Sequence, residues 1–166
     1  MNKTLRLINQ DVYDQCGIDI SEFKWERESK AYHACQFKLN GKAVICRQAK
    51  ITPKKCGQFV TIWKRENAGP IAPFTVSDPF EVLIINVFSG DRSGQFVFPK
   101  EVLAKFGLLS THEKEGKRAF RVYPNWETSL NSQATKSQKW QLKYFFEIGA
   151  EMNFKKVKKM YEFVGR

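Results

Sequence analysis

No stretch of this sequence is apolar for long enough to cross a bilayer. The longest near-continuous run, FEVLIINVF (80–88), is strand-sized, against the roughly 18 residues that a span requires. The opening segment, MNKTLRLINQDVYD, lacks the apolar run of a signal peptide, so a soluble, cytoplasmic protein is expected. Zinc-site spacings are missing too. The cysteines (Cys16, Cys35, Cys46 and Cys56) form no C-x-x-C pair, and His33 and His112 are the only histidines. Four cysteines in a chain this long make no disulfide scaffold, so reduced thiols are expected. Neither G-x-x-x-x-G-K-[ST] nor G-x-G-x-x-G occurs, which leaves nucleotide hydrolysis and dinucleotide binding without local support.

Negative charge is scarce as well. The 166 residues hold 28 Lys and Arg against 17 Asp and Glu, a formal charge of +11. The imbalance is segregated: residues 29–65 contain nine Lys/Arg and no acid, whereas residues 9–28 are net acidic. Segregated charge makes a patch, and a field of that sign draws polyanions. Within the patch, ICRQAKITPKKCGQFVTIWKR (45–65) interleaves its cations with Phe59 and Trp63.

The pattern of apolar residues then orders the chain. Leu5, Ile8 and Val12 recur at helical spacing before Gly17. Asn40-Gly41 lies between two alternating runs, a strong signal for a type I′ hairpin. That turn sets Leu39 against Lys42, Phe37 against Val44, Cys35 against Cys46 and His33 against Gln48, with Cys35, Phe37, Leu39, Val44 and Cys46 facing the core. Further strands are expected at GQFVTIWKR, FEVLIINVF, QFVF and KRAFRVYP, and short helices at residues 4–16 and KEVLAKF. A longer helix is expected from Ser132 to Ile148. The fold class is therefore α/β, a mixed sheet with hairpins flanked by helices. Residues 1–149 are expected to form a single domain. Residues 150–166 would be a basic tail or a short amphipathic helix packed on it, with Phe154, Val157, Tyr161 and Val164 on one face.

Several motifs, in order, carry a resemblance: AKITPKKCGQFVTIWKR, then GQFVFPKEVL, then GKRAFRVYP with SQKW downstream. Together they resemble the MepB family over roughly residues 24–146. The resemblance implies a PD-(D/E)XK endonuclease-like fold and nucleic-acid binding, with the catalytic carboxylates of that superfamily not retained. The residues agree with that last point. Such nucleases need two acids to hold Mg²⁺ and a Lys two residues beyond the second acid. Here the matching pair is Gln48 and Lys50, and a neutral amide is a weak Mg²⁺ ligand. Glu28 has the wrong parity to share a face with Gln48 unless a bulge intervenes.

The expected activity is accordingly nucleic-acid binding, with single-stranded DNA or RNA preferred. Arg47, Lys50, Lys54, Lys55, Lys64 and Arg65 would hold phosphates, with Arg118 and Arg121 as outlying contacts, and bases would stack on Tyr32 and Trp63. No helix-turn-helix or finger signature supports sequence-specific duplex reading, and no cofactor or metal site is expected. Two alternatives remain open. One is an active Mg²⁺-dependent nuclease using Glu28, Gln48 and Lys50. The other is a regulatory protein whose basic face docks an acidic partner.

Overall fold

The computed structural model describes residues 1–165. In chain order its elements begin with α1 (Lys3–Ile8), which runs on through a π-helical stretch (Asn9–Tyr13) and a 3-10 turn (Asp14–Cys16). Strands β1 (Ile20–Trp25), β2 (Cys35–Leu39), β3 (Lys42–Gln48), β4 (Lys50–Thr52) and β5 (Lys55–Thr61) follow. Next come β6 (Trp63–Arg65), β7 (Ile71–Pro73), β8 (Val82–Ser89), β9 (Arg92–Pro99) and α2 (Lys100–Lys105). The chain closes with β10 (Ala119–Val122), α3 (Ser132–Gln141), β11 (Phe145–Ile148) and α4 (Phe154–Met160).

The hairpin forms because Asn40 and Gly41 both take positive φ, 46° and 82°, which matches the twist of the strands they join. The resulting register pairs Leu39 with Lys42, Phe37 with Val44 and Cys35 with Cys46. It stops there. His33 closes a 3-10 turn at φ 48° and hydrogen-bonds Asn2, so it does not face Gln48 as the extended register would have it. Gln48 pairs instead with Asn86, because β8 lies parallel to β3.

The main sheet has the order β1-β2-β3-β8-β9-β11 and is antiparallel except at β3–β8. Both of its faces are covered. One face carries Phe37, Val44, Cys46 and Ile84 under the N-terminal helical segment (Leu5, Ile8, Val12, Tyr13) and under Val157 and Tyr161 of the C-terminal segment. The basic α4 therefore contributes side chains to the core, while its Lys155, Lys156, Lys158 and Lys159 are exposed. The side chain of Val164 lies outside the described residues. The other face carries Ile45, Leu83, Ile85 and Phe98 under a three-stranded sheet, β10-β5-β4, whose Val60 and Val122 point inward.

Two elements differ from expectation. The helix expected over 132–148 ends at Gln141, and after a 3-10 turn residues 145–148 form β11 on the edge of the main sheet. The reason is visible in the burial. Phe145 belongs to one core and Phe146 to the other, which a strand achieves with adjacent residues and a helix does not. The second is β1, four of whose six residues are exposed, which leaves no alternation to betray it.

A chain of polar groups threads the first core. Tyr161 donates to Gln95 Oε1 at 2.8 Å, Gln95 Nε2 donates to Asn86 Oδ1 at 2.8 Å, and Asn86 Nδ2 donates to Cys46 Sγ at 3.6 Å. Burial pushes the Tyr161 phenol well above its ordinary range, so it stays a neutral donor. Tyr161→Phe should therefore leave the buried Gln95 oxygen without its donor, at a cost of about 1–3 kcal/mol. Thermal unfolding followed by circular dichroism should show a Tm lower by roughly 2–10 °C. An unchanged Tm would mean that the phenol adds nothing.

Candidate nucleic-acid interface

The three-stranded sheet turns one face to the core and one outward. Along β5 the period of two sends Gln58 and Val60 inward and leaves Lys55, Gly57, Phe59 and Thr61 on the outer side. Register then aligns Lys50 and Arg121 on either side of Phe59, making a cation–aromatic–cation row across β4, β5 and β10. The Arg121 guanidinium lies 5.9 Å from the Phe59 ring centre, and Lys50 Nζ lies 4.9 Å from that of Tyr32. Tyr32 in turn meets Phe59 edge-on at 6.1 Å. Exposed Lys54 and Lys55 occupy the turn at the end of the same sheet.

Neighbouring side chains fix this surface. Arg121 donates to the carbonyls of Cys56 (3.1 Å) and Gly57 (3.4 Å), which orients the guanidinium without neutralising it. Gln141, at the end of α3, accepts from the Tyr123 amide at 2.8 Å and donates to the Arg121 carbonyl at 2.9 Å, holding the outer edge of β10. Gly57 has φ +76°, and a Cβ there would lie 2.6 Å from the Tyr123 ring. On the inner side, Gln58 is buried and donates to the Phe88 carbonyl at 3.0 Å, tying the small sheet to the end of β8.

The remaining expected contacts are electrically occupied. Arg47 is 1% exposed and paired with Glu26, so it is a core ion pair and not a phosphate contact. Arg47 reads as a surface cation by residue type alone, and only its pairing with Glu26, which Gln36 also hydrogen-bonds, reveals otherwise. Lys64 contacts both Asp78 (2.8 Å) and Glu66 (2.9 Å). Partial burial pulls its pKa down, but those two hydrogen bonds outweigh it and hold the ammonium above its ordinary range. Arg65 binds Glu28 through Nε at 2.9 and 3.0 Å, and Arg118 binds Glu115 at 2.8 Å. Trp63 lies beside the Arg65 guanidinium (5.7 Å) in a separate groove with Trp25, Glu28 and Arg47. Lys50, Lys54, Lys55 and Arg121 have no carboxylate partner among the described residues.

The sequence matches the MepB-like family over residues 26–147, most of the chain and all of the outer sheet. The chain belongs to the MepB-like family. A crystal structure of MepB is similar to it throughout, with a TM-score of 0.76 and 36% identity, covering 89% of this chain and 97% of that one. No curated protein matches.

In this MepB-like chain the Glu28, Gln48 and Lys50 of the nuclease alternative are not brought together. Glu28 lies under Arg65. Gln48 shares the face of Val44 and Cys46 on β3, and Lys50 begins a different sheet with its ammonium over Tyr32. Among the described residues, no three His, Cys, Asp or Glu side chains stand close enough to hold a metal ion. The residue that sequence reasoning undervalued is Phe59. Its signal was available: Val60 and Ile62 set the inward parity of the strand, which sends Phe59 out.

These placements separate ion-paired cations from unpaired ones. Arg47→Ala should strip Glu26 of its partner inside the protein and cost about 3–5 kcal/mol. Lys54→Ala should stay within about 0.5 kcal/mol of the parent. Urea unfolding of the two variants side by side checks this. Equal stabilities would return Arg47 to the surface class.

Proposed function

We propose that this protein binds single-stranded nucleic acid on the outer face of the β10-β5-β4 sheet. The observation that carries the proposal is the row Lys50–Phe59–Arg121, in which two uncompensated cations flank an outward-facing aromatic ring. Phosphates need cations that are not already neutralised, and bases need an accessible π-face. This sheet supplies both, with Tyr32 beside it and Lys54 and Lys55 at its end. The row lies on strands, and a sheet that offers stacking rings between cations favours strands whose bases are already unstacked.

The fold that carries this face is, in this reading, a PD-(D/E)XK-like core with its cutting site given up. A helix, an antiparallel hairpin and a parallel strand beside it agree with that expectation. Gln48 stands where an acid would be required, and the acids just after β1, Glu26 and Glu28, are bound to Arg47 and Arg65. A protein of this kind would act in the cytoplasm without a metal or cofactor.

Fluorescence anisotropy of a 5′-labelled single strand of about 20 deoxythymidines, in EDTA and across a salt series, tests the proposal. Binding should survive about 150 mM salt, and Lys50→Ala and Arg121→Ala should each lower the salt slope by about one. Phe59→Ala should weaken binding by about 1–3 kcal/mol, whereas Arg65→Ala should change it little. Binding that vanishes near 100 mM salt, or that is insensitive to Phe59, would sink the proposal and favour an acidic protein as the partner.

A further inference from the structure

Next to the outer sheet, on the far side of β10, lies a groove of ≈ 810 Å³ between that strand and α3. No local pattern announces it, because its walls come from four separate segments. One wall carries Lys54, Lys55, Lys117 and Arg121. The opposite wall, at the start of α3, is neutral and polar, with Asn131, Gln133 and Ser137. Its lining includes no carboxylate among the described residues. At one end Trp140 lies under Phe106, the two rings stacked 4.1 Å apart and only 6° from parallel. Phe106 is 39% exposed, so the stack leaves apolar aromatic surface open to solvent.

Arg121 and Lys55 belong to both surfaces. Arg121 is on the outer sheet beside Phe59 and Lys55 is at that sheet's end, and both also line the groove. Tyr123 stands at the same junction, its phenol held above the ordinary range by partial burial and so kept as a neutral hydrogen-bond donor. The two surfaces therefore form one continuous path that alternates aromatic, cation and aromatic: Tyr32 and Phe59, then Arg121 and Lys55, then Lys117, then Phe106. A sugar–phosphate backbone with unstacked bases has that alternation.

We propose that a single strand bound on the outer sheet continues through this groove, with Lys117 holding a phosphate and Phe106 taking a base. This rests on the binding reading above and extends it. The site is then bipartite, and its two halves differ in the length of strand they need. A short oligonucleotide fills the sheet alone, and a longer one fills both.

The experiment compares labelled deoxythymidine strands of about 4 and about 16 nucleotides, the range of single-strand site sizes on comparable small folds. Lys117→Ser and Phe106→Ser are tested against the parent, with Phe59→Ala as the sheet control. Lys117 is exposed and has no ion-pair partner among the described residues, so its removal leaves the fold intact. Each groove variant should weaken the long strand by roughly 5-fold or more, and leave the short strand unchanged. Phe59→Ala should weaken both. If neither groove variant affects the long strand while Phe59→Ala still does, the groove inference is overturned and the sheet reading stands. If the parent binds neither strand, the sheet reading itself has failed.

Discussion

A single hydrogen bond marks where the outer sheet begins. The Ala49 amide donates to the Asn86 carbonyl at 3.0 Å, completing the parallel β3–β8 ladder one residue past the end of β3. Ala49 is buried there, and the chain leaves the main sheet at the next residue to begin β4. Lys50 therefore starts a second sheet whose inner face packs on the first. The Asn86 side chain is held from behind by Gln95, so the residue that ends one sheet is itself tied into the buried polar chain. Were the ladder to run on, Lys50 would be one more core-sheet residue, and the row that it makes with Phe59 and Arg121 would not exist.

Charge compensation does the sorting that composition alone does not. Isolated surface ion pairs contribute little to stability, but each one withdraws a cation from the field that an approaching anion feels. Arg65 with Glu28, Arg118 with Glu115 and Arg92 with Glu147 are withdrawn in this way. Arg47 with Glu26 is a different case. Buried beside Gln36, it orders the sheet under the groove that holds Trp63. Lys50, Lys54, Lys55 and Arg121, left without a carboxylate, lie together on the outer sheet, and the lysines of α4 form a separate basic surface over the opposite face of the main sheet.

Much of this was legible in the sequence. The Asn-Gly turn fixed the hairpin register because a two-residue loop leaves no slack, and FEVLIINVF announced a strand covered on both sides. The basic stretch was recognisable by its lack of acids, and the family by motifs in order. What the sequence hid is tertiary in kind. Arg65 is paired with Glu28, 37 residues away, and Lys64 has a second partner, Asp78, 14 residues away, and no local pattern couples them. Phe145 and Phe146 look like the last turn of a helix until both sides of a sheet compete for them. The groove beside β10 has lining residues from the turn after β4, from the end of α2, from the approach to β10 and from α3, so its charge could not be summed before the fold was known.

One contact has a meaning beyond positioning. The side chain of Gln141 supplies both an acceptor and a donor to the outer edge of β10, as a neighbouring strand would. An edge strand with open amides and carbonyls is a template on which another chain can pair, and β10 belongs to a small sheet with an apolar inner side. By imitating one rung of a further strand, Gln141 ends the sheet chemically where it ends geometrically. The β10 side of the sheet is thus closed to pairing by a second copy of the chain at that rung.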